Sequence, residues 1–180
     1  MNRILLVAVA VCLFFATPVM AKEGFYIGAF YPSESISGDA GTNVDSGGGW
    51  GVRAGVGFNR YLAIEGHYST TKHDITGGES TDLKCLAGDL KLNFPLTSLD
   101  SAQVMTVEPY IMGGYGHYEI SNTESFKSDG FQYGIGLELY LFRELSVQAG
   151  WTDTRLEFKD GGSVKGDVKT VDFGLNYHFM

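Results

Sequence analysis

Along most of the chain, apolar and polar residues alternate with a period of two. The stretch before Met180 shows it most clearly: Val171, Phe173, Leu175, Tyr177 and Phe179 are apolar or aromatic, and Thr170, Asp172, Gly174, Asn176 and His178 between them are polar or small. Successive side chains of a strand point to opposite faces, so this pattern predicts a strand with one greasy face and one wet face. At about ten residues it has the length a tilted strand needs to cross the hydrocarbon core of a bilayer.

The same period recurs seven times upstream. Strand 1 is predicted over Gly24 to Tyr31, with Phe25, Ile27, Ala29 and Tyr31 opposite Tyr26, Gly28 and Phe30, and Pro32 is expected to end it. A Gly-rich polar loop to about Gly48 leads to strand 2, Trp50 to Phe58, with Trp50, Val52, Ala54, Val56 and Phe58 on one face and Gly51, Arg53, Gly55 and Gly57 on the other. Asn59-Arg60 reads as a tight turn into strand 3, Leu62 to about Tyr68, where Ala63, Glu65 and His67 form the polar set. A polar loop, Thr71 to Asp82, precedes strand 4, about Lys84 to Phe94, with Leu86, Gly88, Leu90, Leu92 and Phe94 opposite Asp89, Lys91 and Asn93. Pro95 stops that strand, and the connection Leu96 to Met105 shows no pattern. Strand 5, about Glu108 to Ile120, is nearly apolar on both faces; Ile111, Gly113 and Tyr115 are assigned to the apolar side. A loop from Ser121 to Asp129 leads to strand 6, where Phe131, Tyr133, Ile135, Leu137, Leu139 and Leu141 alternate with Gln132, Gly134, Gly136, Glu138 and Tyr140. The turn Phe142-Arg143-Glu144 opens strand 7, with Leu145, Val147, Ala149 and Trp151 against Ser146, Gln148 and Gly150, and a polar loop from about Arg155 to Gly166 returns to the last strand.

Eight strands in up-and-down order with no predicted helix describe an all-β barrel, and the question becomes which face looks outward. A soluble barrel with its greasy face inside is the competing arrangement. Two features decide against it. The polar face is rich in glycine and carries Arg53, Glu65, Asp89, Lys91, Glu138 and Asp172, which suits a narrow lumen where small residues make room for paired charges. The connections after strands 1, 3, 5 and 7 read as long polar loops, whereas two of the other three are tight turns, the asymmetry of a transmembrane barrel. The rings fall into two layers, Tyr31, Trp50, Tyr68, Phe131 and Trp151 at the loop ends, and Phe25, Phe58, Phe94, Tyr177 and Phe179 at the turn ends. Two such layers one strand-length apart are what interfacial belts require.

The start of the chain supplies the compartment. Met1-Asn2-Arg3, the uncharged apolar run Ile4 to Ala16 and Val19-Met20-Ala21 before Lys22 read as a secretory signal peptide, residues 1–21, leaving 22–180 as one domain. That removes one basic residue, so 12 basic against 21 acidic residues remain, a net of −9, and nucleic acid is excluded as a partner. Cys85 is the single cysteine after residue 21 and has no disulfide partner. No apolar run long enough for a spanning helix survives, so any spanning is done by strands.

Together, Gly24-Phe25-Tyr26-Ile27-Gly28, Pro109-Tyr110 with the glycines after it, Gly134-Ile135-Gly136-Leu137-Glu138-Leu139 and the C-terminal alternation resemble the eight-stranded bacterial outer-membrane barrels, which include OmpA-type transmembrane domains, OmpX and the opacity proteins. The resemblance implies a closed barrel of the outer membrane, surrounded by outer-membrane lipid and lipopolysaccharide. It also implies that Phe173, Leu175, Tyr177 and Phe179 form the signal read by the outer-membrane assembly machinery, although here Met180 follows the final ring. The function expected is structural or surface display, in envelope integrity, adhesion or recognition of an extracellular ligand, with a small pore as the alternative.

Catalysis is not expected. His67-Tyr68-Ser69 superficially resembles the His-x-Ser of lipid A deacylases, with Glu79 ten residues beyond Ser69, but that family continues Asn-Ala where this chain has Thr70-Thr71. His67, His73, His117 and His178 lack metal-ligand spacing, and Asp39, Asp45, Asp153 and Asp160 fit no calcium-loop pattern, so no cofactor or metal is expected. For the lumen, centring the hairpin on Asn59 places Arg53 directly across from Glu65, and the six inward charges are expected to form a plug.

Overall fold

The computed structural model describes residues 24–38, 46–74, 80–96, 106–121, 125–158 and 164–179. Eight strands form in chain order: β1 (Gly24–Gly38), β2 (Gly47–Gly57), β3 (Leu62–Asp74), β4 (Ser80–Asn93), β5 (Thr106–Ser121), β6 (Ser125–Tyr140), β7 (Leu145–Phe158) and β8 (Val164–Phe179). Each pairs antiparallel with its neighbours, and β1 pairs with β8, closing the barrel. The seam is continuous from Phe25↔Phe179 to Gly38↔Gly166, so no strand edge is left unpaired.

Facing follows the alternation read from the sequence. Ile27, Val52, Ile64, Leu90, Ile111, Ile135, Leu137, Phe173 and Leu175 all point out and are exposed, while Arg53, Glu65, Asp89, Lys91, Glu138 and Asp172 point in and are buried. Ile111 and Tyr115 of β5 are exposed and Tyr110 is buried, so the ambiguous strand faces as expected. Inward glycines serve as sockets for large rings from the adjacent strand. Tyr26 lies opposite Gly55, Phe30 opposite Gly51 and Tyr110 opposite Gly136, and a Cβ at any of the three glycines would collide with the ring.

The strands run further than the sequence reading placed them. Pro32 does not end β1: the β8 ladder continues through Pro32↔Asp172, while the β2 register skips Tyr31 and Pro32, where a residue without an N–H is accommodated. Thr71 to Asp82, Ser121 to Asp129 and Arg155 to Gly166, read as loops, are largely ladder; the segments between strands at that end are 39–46, 75–79, 122–124 and 159–163. The long-loop asymmetry is therefore overturned, because the longest connection, 94–105, lies at the turn end. The asymmetry lies instead in the strands, which extend past the apolar band at one end.

The reason those extensions were missed is that the pattern changes phase. Outward residues turn polar beyond Tyr31 (Ser33, Ser35), before Leu86 (Lys84), beyond Trp151 (Asp153, Arg155) and before Val171 (Lys169). Inward residues turn apolar in the same region: Leu83, Cys85, Ala87, Tyr118, Leu156 and Val168 form a buried cluster, with Ile36 and Ile120 against it. Polar-out, apolar-in is the arrangement of a soluble protein, and it marks where lipid stops surrounding the wall and water begins.

Candidate functional site in the barrel lumen

Within the apolar band the lumen is filled by polar side chains bonded to one another. At its centre, Lys91 from β4 donates to Glu138 Oε2 of β6 at 3.1 Å and to Gln148 Oε1 of β7 at 3.0 Å. It also lies 3.8 Å from Glu65 Oε2 and 4.1 Å from the centre of the Tyr110 ring. Glu138 Oε1 accepts from Ser146 Oγ at 2.7 Å and from Asn176 Nδ2 at 3.2 Å, and lies 3.3 Å from His178 Nε2. Glu65 is further held by the Tyr26 hydroxyl, which donates to Oε2 at 2.7 Å. One ammonium thus spans the barrel from β4 to β6, β7 and β3. A lysine in so dry a place is tenable only because every donor direction meets an acceptor or a ring face.

Arg53 makes the second bridge. Its Nη2 lies 2.6 Å from Asp172 Oδ1 of β8, its Nη1 3.6 Å from Glu65 Oε1, and its guanidinium stacks 4.3 Å from the centre of the Phe30 ring. Arg53 and Glu65 are in reach of each other, but not as cross-strand partners. The β2–β3 register pairs Arg53 with His67 and Glu65 with Gly55, two residues away from the expected alignment. The turn is centred one residue later than Asn59. The Phe58 amide donates to the Leu62 carbonyl at 2.9 Å, and Asn59 Oδ1 caps the loop by accepting from the Tyr61 and Leu62 amides at 2.8 and 2.9 Å. A shift of two keeps every side chain on its face, which is why the inward set survives the error.

Asp89, assigned to the same charge set, stands apart from Lys91. It lies 3.2 Å from His67 Nδ1 and accepts from Gln132 Nε2 at 2.6 Å. Further out, Glu34 accepts from Thr71 Oγ1 at 2.5 Å and lies 3.7 Å from His73 Nε2. Glu34 was hidden from sequence reading because it falls beyond Pro32; Gln132, Gln148, Ser146, Asn176 and Tyr110 were legible as inward positions, but not as the groups that complete the hydrogen bonding. A cavity of ≈ 30 Å³ lies between Arg53, Glu65, His67, Cys85 and Gln132. That is space for a water or two and no more.

The remaining sequence candidates fall as follows. Of the layer at the loop ends, Tyr31, Trp50 and Phe131 are exposed on the outward face and Tyr68 and Trp151 are half-buried there; of the layer at the turn ends, Phe25, Phe58, Phe94, Tyr177 and Phe179 are all exposed. Tyr115 joins the first layer opposite Phe131, and Tyr61 and Phe142 in the turns extend the second. Phe25 and Phe179 meet across the seam at 5.5 Å between ring centres, and Tyr177 and Phe179 at 5.0 Å. Ser69, expected in a loop, is buried in β3 opposite Cys85, on the same inward face as His67. Glu79, Asp39, Asp45 and Asp160 lie outside the described residues, and Asp153 accepts from the Tyr133 hydroxyl at 3.2 Å. Among the described residues no three His, Cys, Asp or Glu side chains converge on a metal-sized site.

The sequence profile of the family described as outer membrane protein beta-barrel domain matches residues 7–179. Among solved structures, the barrel is similar to the neisserial surface protein NspA (TM-score 0.63, 16% identity, 88% of this chain and 99% of that one). It is also similar to Ail, the attachment invasion locus protein of Yersinia pestis (TM-score 0.56, 19% identity, 87% and 99%). A third is the N-terminal barrel of Pseudomonas aeruginosa OprF (TM-score 0.52, 12% identity, 87% and 99%). Among curated protein sequences none matches the chain.

Proposed function

Because the chain belongs to the outer membrane protein β-barrel family and so resides in the outer membrane, we propose that it is a closed, non-enzymatic surface protein rather than a pore. Its membrane band is a rigid anchor, and its outer strand ends and the segments joining them are the part that acts, in envelope integrity, adhesion or recognition. The observation that carries this reading is the Lys91 bridge, which joins β4 through the lumen to Glu138 of β6 and Gln148 of β7 at 3.1 and 3.0 Å. Eight strands enclose a lumen that side chains can fill, and here they do. The names of two similar barrels, a surface protein and an attachment invasion locus protein, point the same way.

The partners in this reading are outer-membrane lipid and lipopolysaccharide around the wall, an extracellular ligand at the outer ends, and the assembly machinery at the C-terminal strand. For the last, Phe173, Leu175, Tyr177 and Phe179 present one unbroken outward row, which is the form a strand-reading machine would bind. Two measurements test the reading. Reconstituted protein should show no steady conductance in a planar bilayer, and a tag inserted within 39–46 should be stained on intact cells. A large steady conductance would establish the pore instead; staining only after permeabilisation would overturn surface display.

A further inference from the structure

The lumen holds a second constellation that the anchoring role does not use. Cys85 Sγ lies 3.9 Å from Nε2 of His67, whose other ring nitrogen, Nδ1, lies 3.2 Å from Asp89 Oδ2. Asp89 is itself fixed through Oδ1 by Gln132 Nε2 at 2.6 Å, and Gln132 Oε1 accepts from the Tyr118 hydroxyl at 3.1 Å. Thiol, imidazole and carboxylate are therefore within reach of one another on β4 and β3, with the carboxylate fixed through its other oxygen by Gln132. This is the arrangement in which a thiol passes its proton to an imidazole and the carboxylate stabilises the cation that results.

The thiol does not face solid packing. Cys85, His67, Ser69 and Gln132 line the ≈ 30 Å³ cavity, and so does Arg53. The Arg53 side chain is 3% exposed, it stands opposite His67 across the β2–β3 ladder, and its Nε has no hydrogen-bond partner among the described residues. A buried donor left open beside a small polar cavity asks for a small oxygen acceptor. Cys85 itself belongs to the buried cluster with Leu83, Leu156 and Val168, and the small volume of the cavity beside it admits only a small reagent.

We propose that Cys85 is a reactive thiol, activated by His67 and Asp89, that is oxidised by a small uncharged hydroperoxide of the size of hydrogen peroxide. The thiol proton moves to His67 Nε2, a sulfur electron pair attacks one peroxide oxygen, and the O–O bond breaks. The departing oxygen accepts a hydrogen bond from Arg53 Nε and leaves as water with the proton returned by His67. Sulfur is oxidised to sulfenic acid and the peroxide is reduced by the same two electrons. The chain's other cysteine, Cys12, precedes the barrel, so the barrel supplies no thiol to resolve the product as an internal disulfide.

The test uses folded, purified protein exposed to hydrogen peroxide at neutral pH, then unfolded and alkylated, with the Cys85 peptide followed by mass spectrometry. Folded protein is expected to lose alkylatable Cys85 about tenfold faster or more than the same chain in denaturant, where the thiol has no relay. Dithiothreitol added before alkylation should restore it. His67→Gln and, separately, Asp89→Asn, each checked for folding by heat-dependent gel mobility, should bring the folded rate down to the denatured one. A folded rate at or below that of the denatured chain overturns the proposal without recourse to any variant. A fast rate unchanged in a folded His67→Gln protein overturns the relay.

Discussion

The lumen contains two kinds of interior, one above the other. In the membrane band it is ionic, built on Lys91, Arg53, Glu65, Glu138 and Asp172; beyond the band an apolar cluster of Leu83, Leu156, Val168 and Tyr118 appears, with the buried polar group Glu34, Thr71 and His73 beside it. Both sets occupy the same inward positions of the same strands: β4 alone supplies Lys91 and Asp89 to the first, Cys85 and Leu83 to the second. The difference is made outside the wall. Where lipid covers the outer face, the outward side chains must be apolar, and the lumen is left to the polar residues that alternation puts there. Where water covers it, Lys84, Lys127 and Lys169 point out, and the interior gathers apolar side chains as any soluble core does. A β-barrel wall has no intrinsic inside chemistry; the solvent on one face sets the chemistry of the other.

That comparison can be broken at four points. The largest effect is expected at Lys91→Met, which leaves Glu138 and Glu65 buried without their shared cation and should cost about 3–5 kcal/mol, read as lost resistance to urea unfolding in lipid. If stability holds within 1 kcal/mol or so, the ionic tier is not bracing the barrel. Next, Leu83→Ala in the apolar tier should cost about 2–5 kcal/mol through the cavity it opens, while Leu90→Ala on the outer face should cost far less, because lipid tails fill the space. Equal losses would show that both leucines sit in the same solvent. Third, Leu137→Arg should cost about 2–4 kcal/mol as a charge facing the hydrocarbon centre, and Ser35→Arg, outward on the watery extension, within about 0.5 kcal/mol; folded yield on a heat-modifiability gel would separate them. The smallest effect is the coupling inside the ionic tier. A double-mutant cycle for Arg53 with Asp172 should exceed that for Arg53 with Glu65 by about 0.5 kcal/mol or more, since the first pair meets at 2.6 Å and the second at 3.6 Å.

The band was legible in the sequence because two requirements coincide there, an apolar outer face and a strand period, and both leave the same mark. Strand count, facing and all six inward charges followed from it. The extensions were not legible because Ser33, Ser35 and Lys84 face water while Ile36 and Leu83 face inward, so the alternation reverses and a reader following one phase sees a loop. The register at Asn59 failed for a local reason. A tight turn centred on Asn59 differs from the loop that Asn59 caps, which takes one more residue on each side of its centre, a distinction that depends on side-chain hydrogen bonding and leaves no periodic trace. Glu34 and the His67–Asp89 pair were missed because contacts across a barrel depend on strands distant in sequence, and alternation fixes only the face.

The seam between β1 and β8 has a further consequence. Phe25 stands against Phe179 and Gly24 against the Phe179 carbonyl, so the first and last residues of the barrel are neighbours. Geometrically the chain is a ring that synthesis happens to cut at that point. The cut decides timing: the wall cannot close until the final strand has been made and delivered, and every shorter precursor carries two raw edges. The same adjacency makes the cut movable. A linker of a few residues across 179 to 24, with new ends opened in the Asn59 to Tyr61 turn, would describe the same ring and close on β2 and β3 instead. In such a permuted chain β8 would no longer be the last strand of the barrel, and the row of rings that Phe179 completes would be separated from the moment at which the barrel shuts.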